Sequence, residues 1–347
     1  MMSVLALLLM TVANAGSAIA DVTIDACVAK SSLTHPAVAA DMQSLCGLSS
    51  SVGRLLGFFV GGFLMDAISP KEVLGLLSFP ALLVLLVGMV MKEQREPDFC
   101  FRQIHQKLLF ANQTMWKRMK CGVVWKPCLF MFSSLALSLN IQEGMFYWYT
   151  DGEPGPAFSK KDISFSYSIG SAGSLLGVLL YQNSLKSYPF HHLLFWAQIS
   201  STAVGMLDLL LLQRLNLKLG VADYPFVVIS EAMTHMVGRV RRMPILVLSI
   251  RLCPPGIEGT FFALLMSIDH VGTLASSWCG GFLLQLLKIS RTEFGNLWIA
   301  VLIRSLARLL PILLLNLVPR GQHDSMDQIQ FGDYVTGGGD EERLVIG

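Results

Sequence analysis

Long apolar runs alternate with short polar stretches along most of the chain. Nine of these runs reach the length of about 17–25 residues that a helix needs to cross a bilayer. They lie at roughly 3–29, 46–67, 72–91, 127–149, 164–183, 193–213, 225–250, 259–287 and 296–318. Hydrophobic residues make up 53% of the 347 and charged residues 14%, whereas soluble domains carry roughly 25% charged residues. The pattern therefore predicts an all-α membrane protein with about nine transmembrane helices.

The first run has a second interpretation, as a cleaved signal peptide. Its Ala18-Ile19-Ala20 offers the small residues of a cleavage site. No Lys or Arg precedes the run, however, and the apolar sequence continues past Asp21 as far as Val28. We therefore favour a transmembrane helix here.

The one long polar stretch, from 92 to 126, is rich in basic residues. It contains eight of them: Lys92, Arg95, Arg102, Lys107, Lys117, Arg118, Lys120 and Lys126. Because basic residues collect in cytoplasmic loops, we predict that this stretch lies in the cytosol. Phe101, Ile104 and Leu108 recur between the basic residues at near-helical spacing, which predicts an amphipathic helix at the membrane surface.

Three motifs carry a resemblance to a known family. The first is Ala20-Asp-Val-Thr-Ile-Asp-Ala26, and the second is Asp41-Met-Gln-Ser-Leu-Cys-Gly47, where the second apolar run begins. The third runs from Arg242 to Asp269 and contains Cys253-Pro-Pro-Gly-Ile-Glu-Gly-Thr260, the most specific of the three. Over roughly residues 5–318 the chain resembles the folate–biopterin transporters, a branch of the major facilitator superfamily.

The resemblance implies a twelve-helix carrier of folates or pterins, coupled to protons and, in some members, placed in the plastid envelope. Such carriers are built from two six-helix halves. If 92–126 is the cytoplasmic linker between them, residues 127–318 form a complete six-helix C-terminal half. Residues 1–91 then form a partial N-terminal half of three helices, and the opening three helices of the family pattern are lacking. We expect residues 319–347, which are polar and Gly-rich, to be a disordered cytoplasmic tail.

Asp21 and Asp25 are the first candidates for the substrate site. They are four residues apart, so on a helix they share one face. A charge at the bilayer centre costs at least about 2.5–3.5 kcal/mol, so we expect both to face a cavity between the halves. A carboxylate can accept hydrogen bonds from the adjacent ring N–H and amino groups of a pterin, and two close carboxylates suit proton coupling. Alternatively, both residues pair with basic groups of neighbouring helices and only hold the fold.

The predicted C-terminal half offers further polar candidates inside apolar sequence. Gln142 and Glu143 lie in its first helix, and the resemblance implies that such a helix faces the cavity. Asp269, well inside a later segment, is a third candidate for the cavity. The alternative for Glu143 is a position near the membrane face, because the aromatic residues of an interfacial belt follow it.

Glu231, His235 and Arg239 are spaced four residues apart and share one helix face. Together with Arg242 they suit a charge relay or partners for the acidic residues. Arg239 or Arg242 could bind the glutamate tail of a folate, because a guanidinium binds a carboxylate through two hydrogen bonds. The alternative is an internal salt-bridge ladder between Glu231 and Arg239.

Four more charged residues lie in apolar segments. Arg304 and Arg308 share a helix face and would add cations to the second half. We interpret Asp208, near a helix end, as interfacial, and we place Arg54 near the cytosolic end of its helix. The charges therefore suit either an anionic substrate or salt bridges between the halves.

Two glycine motifs predict close helix packing. They are Gly53-x-x-x-Gly57-x-x-x-Gly61 and Gly173-x-x-x-Gly177. Small residues four apart form a flat helix face that a second backbone can approach. We interpret both motifs as packing surfaces.

Two apolar segments meet around Pro254 and Pro255 with almost no loop between them. Proline cannot continue a hydrogen-bonded helix, and Gly256 permits a turn. The predicted topology makes this a tight cytosolic turn, and we interpret it as a hinge or gate. Arg251 and Glu258 would close that gate as an ion pair, or Arg251 extends to the membrane interface.

No catalytic arrangement emerges, because the sequence has no phosphate-binding glycine loop, no HExxH and no GxSxG motif. We expect no enzyme activity, no cofactor, no metal and no nucleic-acid partner. The leading hypothesis is a secondary carrier of folates or pterins, coupled to protons, in the lipid of the plastid envelope or plasma membrane. The alternative is a truncated, non-transporting membrane protein that associates with full-length carriers.

Overall fold

The computed structural model describes residues 2–34, 39–90, 101–150, 155–254 and 257–318, and within them the chain is almost entirely helical, with no strand. The first α-helices are α1 Met2–Thr34, α2 Ala39–Ala67, α3 Pro70–Val90, α4 Phe101–Met119, α5 Gly122–Ala136, α6 Gln142–Thr150 and α7 Lys160–Leu180. Then follow α8 Phe190–Gly205, α9 Leu207–Leu212, α10 Leu215–Lys218, α11 Asp223–Arg251, α12 Glu258–Leu286 and α13 Leu297–Ala307. A π-helical turn, Tyr181–Leu185, extends α7, and a 3₁₀ helix, Leu310–Leu317, follows α13.

Five helical stretches of the described chain are long and apolar enough to cross a membrane. They are Leu7–Ile24, Ser44–Leu64, Lys161–Leu185, Phe190–Leu212 and Leu297–Leu317. Shorter apolar helices cover Ser78–Val90 and Gly122–Ala136. Since α11 carries several charged residues along its length, it does not reach this degree of apolarity. The predicted class, an all-α membrane protein built as a helical bundle, is confirmed.

The predicted segment 127–149 is broken into two helices. Between α5 and α6, Leu139 has a φ of 40°, which interrupts the helical backbone. The Asn140 amide donates to the Ser276 carbonyl of α12 at 3.0 Å, and the Asn140 side chain accepts from the Gln142 amide at 3.0 Å. Irregular backbone is tolerated inside a membrane protein where its polar groups are satisfied or line a cavity. The break brings Gln142 to the start of α6.

Helices α2 and α7 form an antiparallel pair that joins the predicted halves. Hydrogen bonds cross the pair at three levels: Ser44 to Gln182 at 2.7 Å, Ser51 to Ser174 at 3.1 Å, and Ser164 to the Phe58 carbonyl at 2.9 Å. Successive contact residues along α2 pair with residues that lie progressively earlier in the sequence of α7, as expected for antiparallel helices. The two helices therefore touch along nearly their whole length.

Helix α7 also packs closely on α11 through its glycines. A Cβ on Gly177 would lie 2.6 Å from the Met236 carbonyl oxygen, and one on Gly173 would lie even closer to that of Ala232. This close approach is the one predicted for the Gly173 motif. The Gly53 motif on α2 behaves differently, since a Cβ there would meet no atom of the described chain within 4 Å.

Helix α11 crosses the centre of the second half, between two apolar clusters. Near its start, Val227 belongs to a cluster with residues of α6 and α13. Near its end, Leu248 and Ile250 pack in a second cluster with Phe261 and Phe262 of α12. The charged residues from Glu231 to Arg242 lie between these clusters and form part of the site described next.

The predicted division of the chain into domains has one visible counterpart. Within 92–126, helix α4 occupies Phe101–Met119, where the amphipathic helix is predicted. Helix α5 begins at Gly122, ahead of the predicted boundary at 127. The tail 319–347 lies outside the described residues, and the domain boundaries stay a prediction.

Candidate functional site

Charged side chains of α11 line two adjoining cavities inside the bundle. The first, which we call the arginine cavity, measures about 220 Å³. Its lining residues are Arg54, Ser134, Leu135, Ser174, Thr234, His235, Gly238, Arg239, Arg241, Arg242, Ile245 and Asp269. The second, the glutamate cavity, measures about 300 Å³ and shares Thr234 and His235 with the first. Its lining residues are Ser138, Leu139, Asn140, Ile141, Gln142, Met145, Tyr149, Tyr167, Asp208, Glu231, Thr234, His235, Thr273, Ser276, Arg304 and Arg308.

The arginine cavity is held together by serine hydroxyls and one carboxylate. Arg239 donates from Nε to the Ser174 hydroxyl at 3.1 Å and from Nη2 to the Ser51 hydroxyl at 3.3 Å. Asp269 is buried in α12 and accepts a hydrogen bond from Arg242 at 3.3 Å. The lining thus contains four arginines and a single carboxylate, and it has strong positive charge.

The glutamate cavity mixes acidic, basic and aromatic groups. A carboxylate oxygen of Glu231 lies 3.6 Å from Nε2 of His235, one helical turn further along α11. Gln142 donates to the Tyr167 hydroxyl at 3.1 Å. This cavity therefore offers a carboxylate, an amide and a phenol side by side.

A buried ion pair closes one wall of the glutamate cavity. Arg304 of α13 binds Asp208 at 2.6 Å and also donates to the Gly205 carbonyl at 3.3 Å. Asp208 lies in the first turn of α9, just after the interruption at Met206 that separates α8 from α9. The pair therefore links α13 to the break between α8 and α9.

The model of the BT1 family matches residues 1–331. The chain belongs to the BT1 family. It is 54% identical over 321 residues to "Probable folate-biopterin transporter 2" of Arabidopsis thaliana, covering 92% of this chain and 64% of that protein. It is 31% identical over 335 residues to "Folate-biopterin transporter" of Synechocystis sp., covering 95% and 65%. It is also 26% identical over 315 residues to "Probable folate-biopterin transporter 8, chloroplastic" of A. thaliana, covering 89% and 57%.

The BT1 family match confirms the resemblance on which the sequence analysis relies. The chain spans 64% and 65% of the length of the first two relatives. Both relatives are named as transporters, in agreement with the expectation that the chain is not an enzyme. Among the described residues, no group of His, Cys, Asp and Glu side chains could hold a metal ion. A BT1 family chain with apolar helices of membrane-spanning length is an integral membrane protein.

The structure brings five of the predicted substrate residues together. Gln142 and Glu231 line the glutamate cavity, and Arg239, Arg242 and Asp269 line the arginine cavity. The alternative ladder between Glu231 and Arg239 is not formed, because Glu231 contacts His235 and Arg239 binds two serines.

Three other predicted substrate residues do not join this group. Asp21 is exposed on α1, and Glu143 is exposed on α6. Neither of them lines the two cavities. The side chain of Asp25 lies outside the described part of the structure.

The predicted gate is only partly described. Arg251 lies over the ring of Phe190, with its guanidinium carbon 5.5 Å from the ring centre. Pro254 is buried just beyond the end of α11. Pro255, Gly256 and the Glu258 side chain lie outside the described residues. A hinge or gate at this turn stays a prediction.

Three residues that line the cavities are not among the predicted site residues. Asp208, which is predicted to be interfacial, pairs with Arg304 and lines the glutamate cavity. Arg54 lines the arginine cavity, between α2 and α7. Arg241 lines the same cavity. The sequence does contain a signal for these residues. Each is a charged residue inside an apolar segment of membrane-spanning length, and such a side chain is expected to face a cavity and not lipid.

Proposed function

We propose that the chain carries folates or pterins across a membrane, as a secondary transporter that works by alternating access. The observation that carries the proposal is the pair of adjoining polar cavities, of which the arginine cavity is lined from both predicted halves. Charged groups inside a span are costly and mark substrate pathways, and carriers place their sites between repeated halves. The names of the BT1 relatives supply the substrate class.

The two cavities differ in charge in the way that the two ends of a folate do. A pterin ring presents adjacent N–H and amino donors, which match the two oxygens of the Glu231 carboxylate. Gln142 and Tyr167 lie in the same cavity as further hydrogen-bonding groups. The glutamate tail carries carboxylates, which Arg239 and Arg242 of the adjoining cavity can bind bidentately.

Proton coupling is part of the proposal. Glu231 and His235 are in contact inside the bundle, and a carboxylate beside an imidazole can take up and release a proton. Asp21, Asp25 and Glu143 stay in the proposal as acidic residues that the substrate or proton meets along its path. We propose proton symport as the energy source.

The proposed membrane is the plastid envelope or the plasma membrane. The name of one relative, folate-biopterin transporter 8 of A. thaliana, includes the word chloroplastic. The observation that supports a membrane location of either kind is the set of five span-length apolar stretches. A fluorescent fusion imaged with envelope and plasma-membrane markers distinguishes the two locations.

Uptake into proteoliposomes tests the proposed function. The purified 347-residue chain is expected to take up radiolabelled folate or biopterin, faster when the outside is acidic. Glu231→Gln is expected to abolish the stimulation by the pH gradient, because the amide cannot carry the proton. Glu293→Gln, which removes an exposed carboxylate from the loop before α13, is the matched control and is expected to behave as wild type.

A chain that reconstitutes in folded form but shows no uptake of either substrate would contradict carriage by this polypeptide. It would favour the alternative, a non-transporting membrane protein that associates with full-length carriers. Co-purification of the chain with a full-length BT1 carrier, expressed in the same cells, would then be the deciding measurement.

A further inference from the structure

Three arginines around one cavity form no salt bridge among the described residues. Arg242 is paired with Asp269. Arg54, Arg239 and Arg241 form no salt bridge with any carboxylate of the described chain. Nη1 of Arg241 is buried and lacks any hydrogen-bond partner there. Positive charge is therefore concentrated around a cavity of about 220 Å³, with Asp269 as the one carboxylate in its described lining.

Such an arrangement is unfavourable for the empty protein. Arg239 and Arg241 are partly buried, whereas Arg54 is exposed. Partial burial of a charge without a carboxylate partner costs free energy, and like charges around one cavity repel one another. The hydrogen bonds from Arg54 and Arg239 to the Ser174 hydroxyl do not neutralise this charge. An anionic ligand that enters the cavity would offset both costs, so the arrangement points to an anion site.

Two of the unpaired arginines approach each other from opposite halves. Arg54 belongs to α2, and its Nη2 lies 3.5 Å from the Ser174 hydroxyl. Arg239 belongs to α11, and its Nε donates to the same hydroxyl at 3.1 Å. Each guanidinium has five N–H donors, so most donors of both groups are available to a ligand. Ser174 sets the distance between them.

We propose that Arg54 and Arg239 together bind a carboxylate of the substrate, and that the site thereby selects carboxylated folates over biopterin, which has no carboxylate. Arg241, in the same cavity, provides a third cation for the second carboxylate of a glutamate tail. This inference rests on the proposed function. Because Arg54 and Arg239 belong to different halves, the bound carboxylate links α2 to α11 across the cavity.

Ligand binding to single-charge variants tests the anion site. The chain is placed in nanodiscs of phosphatidylcholine, which has no net charge, so anionic lipid cannot fill the cavity. Equilibrium dialysis then measures the Kd of folate, p-aminobenzoylglutamate and biopterin. Arg54→Gln and Arg239→Gln are each expected to raise the Kd of the two carboxylated ligands by about tenfold or more, as expected for loss of a charge-assisted hydrogen bond. The Kd of biopterin is expected to stay unchanged.

Arg291→Gln is the matched control. Arg291 is an exposed arginine that stacks on the ring of Tyr147, outside both cavities. This variant loses the same charge, so it reports any effect of net charge alone. Its affinity for all three ligands is expected to match wild type.

The results separate this inference from the proposed function. If folate binds and both arginine variants bind it as tightly as wild type, the anion site is wrong and the proposed function stands. If p-aminobenzoylglutamate binds through the arginines but neither folate nor biopterin binds, the anion site stands and the proposed function fails. If none of the three ligands binds, both are wrong.

Thermal unfolding without ligand checks for a merely structural role. Removal of an unpaired charge is expected to leave the unfolding midpoint of Arg54→Gln unchanged or higher than that of wild type. A guanidinium that holds the fold together would instead lower it, and such a result would overturn the inference. Arg54→Lys, which keeps the charge, is expected to recover part of the folate affinity.

Discussion

The ion pair between Arg304 and Asp208 forms part of the wall of the glutamate cavity. The side chains are 9% and 22% exposed, and the oxygen and nitrogen are 2.6 Å apart. Removing one partner of a buried pair leaves the other charge uncompensated, which costs about 3–5 kcal/mol. Replacing both partners by apolar groups avoids that cost.

A comparison of one single variant with the double variant tests this difference. Asp208→Ala is expected to lower the free energy of unfolding by about 3 kcal/mol, because Arg304 keeps its charge without a partner. The double variant Asp208→Ala with Arg304→Met is expected to be more stable than Asp208→Ala alone. Denaturant titration in detergent micelles gives both values. Equal destabilisation in the single and double variants would contradict a buried pair.

At the residue scale, sequence spacing predicts some site residues and misses others. Glu231 and Arg239 could be placed on one face because helical geometry determines which residues of one helix are neighbours. Arg54 could not be assigned to the cavity because its environment comes from α7 and α11, which are distant in sequence. Asp208 was missed for the same reason, since its partner Arg304 lies about a hundred residues later.

At the scale of elements, the fit between α7 and α11 depends on glycine. The Cβ of an alanine at Gly173 would collide with the backbone carbonyl of Ala232, which cannot move without bending α11. A Cβ at Gly53 of α2 would meet no atom of the described chain within 4 Å. These two glycines therefore make a matched pair for mutation.

Gly173→Ala is expected to destabilise the protein by about 1–3 kcal/mol, as overpacking does. Gly53→Ala is expected to be neutral or stabilising by up to about 1 kcal/mol, because alanine favours the helix over glycine. Thermal unfolding in the same detergent compares the two. If both variants shift the midpoint equally, the close contact between α7 and α11 is wrong. The Gly173 variant is also expected to weaken folate binding, because α7 carries Ser174 into the arginine cavity.

The length of the apolar runs predicts where helices form, but it does not predict where they are interrupted. Run length alone gives a helix in each of the nine segments, because a bilayer requires a continuous apolar stretch. The break within 127–149 has no comparable signal. It depends on a hydrogen bond between Asn140 and the Ser276 carbonyl of α12, a partner that the local sequence does not reveal.

At the scale of the whole molecule, alternating access requires the two halves to part at one end. In this structure α2 and α7 are in contact from Ser44 to Phe58, so their interface is closed along its length. At the end of this interface nearest Ser44, Lys186 binds Asp41 at 2.9 Å. Hydrogen bonds from Gln182 and Lys186 lower the pKa of Asp41, so this carboxylate stays ionised at physiological pH. The end of the interface is thus held by an exposed ion pair of modest strength, about 1 kcal/mol or less.

Covalent bridging at this end is expected to stop transport. In a background with the exposed Cys27 and Cys279 changed to Ser, Asp41→Cys and Lys186→Cys would be joined by a short bismaleimide. If the halves must part here, the bridged protein should lose folate uptake in proteoliposomes while it still binds folate, because the arginine cavity is untouched. Each single cysteine variant, treated with the same reagent, should keep its uptake. Uptake by the bridged protein at the unbridged rate would show that α2 and α7 stay together throughout the cycle, and separation of the halves at this end would have to be abandoned.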